Sequence, residues 1–166
     1  KQTVAKEEGK MKYFVVSVDS NYVAPVPVGW QGIIDKKTIH RKKVYEIQEH
    51  LLFRVESHMQ MVYTDVITFP CFMVSETVKK VIGRYQPFLK YTRVVLFQKE
   101  KETSMAYYIP FLEQVGKGKK NGTGRILLGR EQTDGRGIAE IQDGDNIRII
   151  MRMDLVESIL RRKTVG

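Results

Sequence analysis

Residues 147–162, IRIIMRMDLVESILRR, read as a strand running directly into a helix. Ile147, Ile149 and Met151 alternate with Arg148, Ile150 and Arg152, so one face is apolar and the other is interrupted by Ile150. Asp154 is placed to open the helix, where exposed amide hydrogens and the helix dipole favour a carboxylate. Leu155, Val156, Ile159 and Leu160 recur at helical spacing and form one apolar face. Arg161, Arg162 and Lys163 follow at the C-terminal end, where cations are favoured.

The same unit occurs earlier, at residues 72–85, FMVSETVKKVIGRY. At a fixed offset Ser75 meets Arg152, Thr77 meets Asp154, Val78 meets Leu155, Ile82 meets Ile159 and Arg84 meets Arg161. Ser75 is the expected N-cap, with Val78, Val81, Ile82 and Tyr85 as the buried stripe. Two copies are too few for a solenoid. They form either a strand–helix pseudo-repeat or two similar units of an ordinary core. Both readings give two helices docked against sheet.

Strands are expected elsewhere. Residues 12–18, KYFVVSV, are rich in aromatic and β-branched side chains. Residues 23–32 carry Pro25, Pro27, Gly29 and Gly32 around Trp30 and read as an irregular loop. Trp30 is either an anchor packing that loop on the core or a stacking platform for a base or ligand. Short strands are expected at residues 44–47 and 51–55, and a longer one at 59–68 through alternating Met59, Met61, Tyr63 and Asp65. Gln86-Pro87 stops the first helix. Residues 92–98, TRVVLFQ, form a strong strand, joined by the polar turn 99–103 to MAYYIPFLEQV, residues 105–115. Pro110 there argues for an edge or bent strand. Residues 116–124, GKGKKNGTG, read as a flexible basic loop. Brief strands follow at 125–128 and 138–141, with turns at 134–137 and 143–146. The fold class is α+β, mostly antiparallel sheet with two helices.

The chain has 166 residues, enough for a single domain over residues 11–166 or two small lobes at 11–70 and 71–166. The charged start, KQTVAKEEGK, reads as a flexible or foreign leader before a native start at Met11, with a cut from a longer chain as the alternative. No apolar run approaches the roughly 20 residues that cross a bilayer. One cysteine, Cys71, excludes an internal disulfide framework and suits a reducing cytoplasm.

Charge is the strongest compositional signal, with 28 Lys and Arg against 19 Asp and Glu and a formal net charge of +9. Lys36, Lys37, Arg41, Lys42 and Lys43 form one patch. Lys117, Lys119, Lys120, Arg125 and Arg130 form another. Such patches bind phosphates, anionic lipid or an acidic protein, unless they are simply solvated surface.

No constellation for catalysis is evident. His40, His50 and His58 have no metal-ligand spacing. Cys71 lies between Pro70 and Phe72, where an apolar setting makes a thiol inert. GKGKKNGTGR contains neither a P-loop nor GxGxxG, so nucleotide hydrolysis is not supported, although its amides with Lys119, Lys120 and Arg125 suit a weakly held anion. Carboxylates are scattered; Glu46 and Glu49, or Asp143 and Asp145, fall close together in sequence, and the second pair sits on a turn that needs no catalytic explanation. No GxSxG elbow occurs. Nucleic-acid binding draws support from the basic patches and from Tyr91, Phe97, Tyr107 and Tyr108, but no RRM octapeptide, KH loop or zinc-finger spacing accompanies them.

The order FMVSETVKKVIGRYQP, TRVVLF, YYIPFLEQV and MDLVESILRR resembles the DUF1629-type immunity proteins found beside secreted polymorphic toxins in bacteria. It spans about residues 72–162, with Tyr107-Tyr108 and residues 157–162 carrying most of it. The resemblance implies a cytoplasmic α+β protein that binds and neutralises a cognate toxin, with no chemistry or cofactor of its own. Two features depart from it: a final strand would be expected beyond Gly166, and the charge is strongly basic. The basic charge leads to an expected acidic toxin surface. The alternatives are a basic nucleic-acid-binding module and an enzyme whose site does not show in sequence; no membrane partner is expected. Trp30, Lys36, Lys37, Arg41, Lys119, Lys120 and Arg125 are the candidate partner-binding residues, chosen for charge and expected exposure and not from the resemblance.

Overall fold

A computed structural model describes residues 12–17, 19–41, 46–56, 58–117, 119–120, 126–128 and 130–166. Its strands are β1 (Tyr13–Val15), β2 (His50–Arg54), β3 (Val66–Ile67), β4 (Met73–Ser75), β5 (Tyr91–Gln98), β6 (Thr103–Pro110), β7 (Gln114–Lys117), β8 (Lys119–Lys120), β9 (Ile126–Leu127), β10 (Ile138–Asp143) and β11 (Asn146–Arg152). The helices are α1 (Lys36–Arg41), α2 (Glu76–Tyr85), α3 (Arg130–Thr133) and α4 (Met153–Leu160). One sheet has the order β1-β11-β10-β7 and the other β2-β5-β6-β4-β3, with β8 and β9 as a separate ribbon. Pairing is antiparallel except for β10 with β7 and β2 with β5. This is an α+β fold, and both sheets draw strands from each side of residue 70.

The two strand–helix units keep the register of the sequence overlay. Ser75 is the N-cap of α2, and its hydroxyl accepts from the Val78 amide at 3.3 Å. Arg152 holds the N-cap position of α4. Val78 and Leu155 are both fully buried, as are Ile82 and, nearly so, Ile159. Each helix turns its apolar stripe into one shared core with Phe72, Val74, Ile138 and Met151. That core joins β4 of the larger sheet to β10 and β11 of the smaller one. Tyr85 ties the helices together, its hydroxyl donating to the Asp154 carbonyl at 3.1 Å and lying 2.5 Å from the Ser158 hydroxyl.

Asp154 lies in the first turn of α4, as expected, and its carboxylate is held by Arg152 at the N-cap position. Its two carboxylate oxygens accept from Arg152 Nε at 2.7 Å and Nη2 at 2.9 Å, and Oδ1 also accepts from the Leu155 amide. Arg152 in turn donates to the Gly135 carbonyl. The bond to Arg152 is the main force holding the Asp154 carboxyl below its ordinary pKa.

Ile150, which breaks the alternation of β11, is buried because this sheet has a second apolar face. There it meets Val115, Ala139 and Ile141. The turn from β10 to β11 is a two-residue loop, Gly144-Asp145, with Gly144 at φ 62°. Positive φ at the first loop position is the type II′ pattern that matches strand twist.

The other core lies on the inner face of the larger sheet. Phe53, Val94, Leu96, Tyr107 and Ile109 point into it, roofed by Ile34, Trp30 and Ile39 from the segment that ends in α1. Helix α1 was not evident in the sequence, although its cap is well formed. Asp35 accepts from the Thr38 amide at 2.9 Å and the Thr38 hydroxyl at 2.6 Å. Helix α3 was likewise unexpected.

Two strand expectations and one loop expectation need correction. Residues 59–68 supply only β3; Met61 makes a bridge to Val23, and its amide turns back to the His58 carbonyl at 3.1 Å. That alternation follows a loop laid over the inner core. Strand β6 is central, between β5 and β4, and tolerates Pro110 because the proline is its last residue, beyond the pairs with β4. Within residues 116–124, Lys119 and Lys120 pair with β9 instead of lying in a loop. The strand expected at 44–47 lies partly outside the described residues, and Ile47 is in no strand.

Candidate functional site

Strand β5 alternates cleanly. Thr92, Val94, Leu96 and Gln98 are buried inward, while Tyr91, Arg93, Val95 and Phe97 take the opposite face. The register then sets out the outer face of the larger sheet in rows. His50, Arg93 and Tyr108 form one row, Leu52, Val95 and Ala106 the next, and Arg54, Phe97 and Ser104 the third. Helix α2 packs over β4, at one side of this face. Leu52 is left 67% exposed.

At the α2 side the face carries a cation–aromatic cluster. Lys79 Nζ lies 3.8 Å from the Tyr108 ring centroid and 5.6 Å from that of Tyr91. The two tyrosines meet edge to face, with centroids 6.4 Å apart. The Tyr108 hydroxyl interacts with Glu76 and Arg93. The interaction with Glu76 is the main reason the Tyr108 pKa is raised, and it lowers that of Glu76. Glu76 also faces Lys79 and Lys80, at 3.9 and 3.5 Å. Among the described residues the buried Tyr91 hydroxyl has no hydrogen-bond partner, and burial pushes its pKa up to about 12.

An open groove follows this cluster, lined by Glu49, His50, Lys79, Lys90, Arg93 and Tyr108 among others. Arg54, Lys79, Lys90 and Arg93 stand on or beside the face against Glu49 and Glu76, so cations are in excess. Such a surface attracts carboxylates or phosphates. The Tyr108 ring has Lys79 over it, which takes up area on which a base would stack.

The residues picked from sequence lie elsewhere. Trp30 is half-buried; its ring meets Phe69 edge to face at 5.1 Å and packs on the inner core, which is the anchor role. Lys36 and Lys37 are exposed on α1, which ends at Arg41. Trp30 and this helix belong to one segment. Lys119 and Lys120 form β8, in a different sheet. Arg125, with Lys42 and Lys43, lies outside the described residues. Sequence reading missed Leu52, Arg54, Lys79, Tyr91, Arg93 and Tyr108 as a group. The available signal was parity within YTRVVLFQ, which puts Tyr91, Arg93 and Phe97 on one face.

Cys71 is 2% exposed, and burial pushes its thiol up to about 12, so it is a packing residue. Among the described residues no group of three or more His, Cys, Asp or Glu is arranged to hold a metal ion. No helix there is long and apolar enough to cross a membrane. Comparison with protein-family models and with curated proteins gave no match.

Proposed function

We propose that this protein works by binding, without chemistry of its own, and that it binds through the open face of the larger sheet. The partner is a protein that presents carboxylates. The observation that carries this reading is the row of exposed Leu52 beside half-buried Val95 and Ala106, with Arg54 and Arg93 in the rows on either side. An apolar strip bordered by charge has the anatomy of a protein contact, where the strip supplies burial and the border supplies orientation. Neutralising a toxin, the role implied by the resemblance to immunity proteins, requires only that such a face cover the toxin's working surface.

The second reading, a nucleic-acid-binding module, rests on the ribbon strand Lys119–Lys120 and on the aromatics of the sheet. The cation over Tyr108 weighs against base stacking there.

Affinity capture from lysate of the source cell, with and without nuclease, separates the two. The protein reading expects one stoichiometric protein that survives nuclease. That protein should be toxic when expressed alone and harmless beside this chain, and its binding should weaken steeply with added salt. Nucleic acid whose removal disperses every other partner would replace it with the second reading. Uniform loss of binding to every sequence on charge reversal at Lys119 and Lys120 would then locate the contact.

A further inference from the structure

A separate cleft lies where the two cores meet. Cys71, Ile109 and Ile39 reach it from the inner core of the larger sheet, and Phe72, Leu112 and Ile149 from the helix core. The cores do not close on each other at this point, and a cavity of about 150 Å³ remains. A space of that size is large enough for a benzene ring. Most of its lining residues are apolar, but polar groups from Lys36, Thr68, Glu140 and Arg148 share its walls, so the exposed lining is nearly as polar as it is apolar.

The polar groups are unequal. Arg148 is engaged by Asp143, its Nε donating to Oδ2 at 2.6 Å. Lys36 also lines the cleft, from the first turn of α1, and it has no ion-pair partner among the described residues. Its neighbour Asp35 is occupied in capping α1. Lys36 is therefore the available cation beside the apolar part of the cavity. Glu140 is also on the wall and disfavours a ligand with two negative charges.

We propose that this cleft binds a small monocarboxylate whose apolar body is about the size of a benzene ring, with the carboxylate held by Lys36. The apolar body takes the space between Phe72, Ile109 and Ile149. The site is independent of the open sheet face and of any protein partner.

Phenylacetate and its neutral counterpart benzyl alcohol test this on the full chain, read by amide chemical shifts in a titration. Phenylacetate should give saturable shifts at Ile39, Phe72 and Ile149, with benzyl alcohol at least tenfold weaker. Lys36→Met, at an exposed position, should bring phenylacetate down to the level of benzyl alcohol without altering the other signals. Acetate alone should not saturate. The absence of saturable shifts at these residues with either probe would overturn the site. Equal binding of both probes, or phenylacetate binding unchanged in Lys36→Met, would overturn the carboxylate assignment.

Discussion

Asp65 ties three distant segments together with one side chain. Its Oδ1 accepts from the Ser75 hydroxyl at 2.5 Å and its Oδ2 from the Val165 amide at 2.8 Å, while its backbone pairs with both residues. Hydrogen bonds to a charged acceptor are the stronger kind, so Asp65→Ala should cost about 3 kcal/mol in urea unfolding, and Asp65→Asn about half of that. Asp154 gives a pH test. Its carboxyl is held below the ordinary aspartate value of 3.8, chiefly by Arg152. A depressed carboxylate stabilises the fold above its unfolded pKa, and the contribution is lost as pH falls through the folded value. The stability difference between the wild type and Asp154→Asn should therefore stay level above about pH 5 and shrink in more acid solution, as urea midpoints taken across pH will show. At this scale Ser75 and Cys71 were legible, because a cap and an apolar flank are local. The first-turn position of Asp154 was legible too, but its pairing with Arg152 was not, because two residues at that spacing meet only where the strand turns into the helix.

Helices α2 and α4 were legible as elements, since each carries an apolar stripe at helical spacing and the stripe is what the shared core buries. Leu155 is fully buried and Leu160 is 65% exposed, five positions along the same helix. Leu155→Ala should cost about 3 kcal/mol, with Leu160→Ala within about 0.5 kcal/mol of the wild type, by thermal or urea unfolding. Equal costs would mean that α4 is docked on a different face. Helix α1 escaped notice for a physical reason. A segment of six residues cannot pay for its own order, and Ile39 packs it on the inner core. The same contact misled the reading of residues 59–68, where Met61 and Tyr63 face the core from a loop.

At the scale of the molecule, the larger sheet buries one face and leaves much of the other open, and α2 covers only one side of the open face. Which side chains share that face depends on the pairing of β2 with β5, two strands separated by β3, β4 and α2 in the chain. No local pattern reports such a pairing, so the sequence pointed instead to runs of lysine, which are visible without a fold. Parity within β5 was readable, but its neighbours on β2 and β6 were not. Binding through the open face should be sensitive to charge at Arg93 and to apolar surface at Leu52, and largely indifferent to α1 and β8.

The direct test captures partners from nuclease-treated lysate of the source cell with three forms of the chain: the wild type, Leu52→Asp with Arg93→Glu, and Lys119→Glu with Lys120→Glu. Each form is first matched to the wild type by thermal unfolding. The expected result is one stoichiometric protein on the wild type and on the β8 variant, lost at least tenfold from the sheet-face variant. Full retention by the sheet-face variant, or loss confined to the β8 variant, would contradict binding through the open sheet.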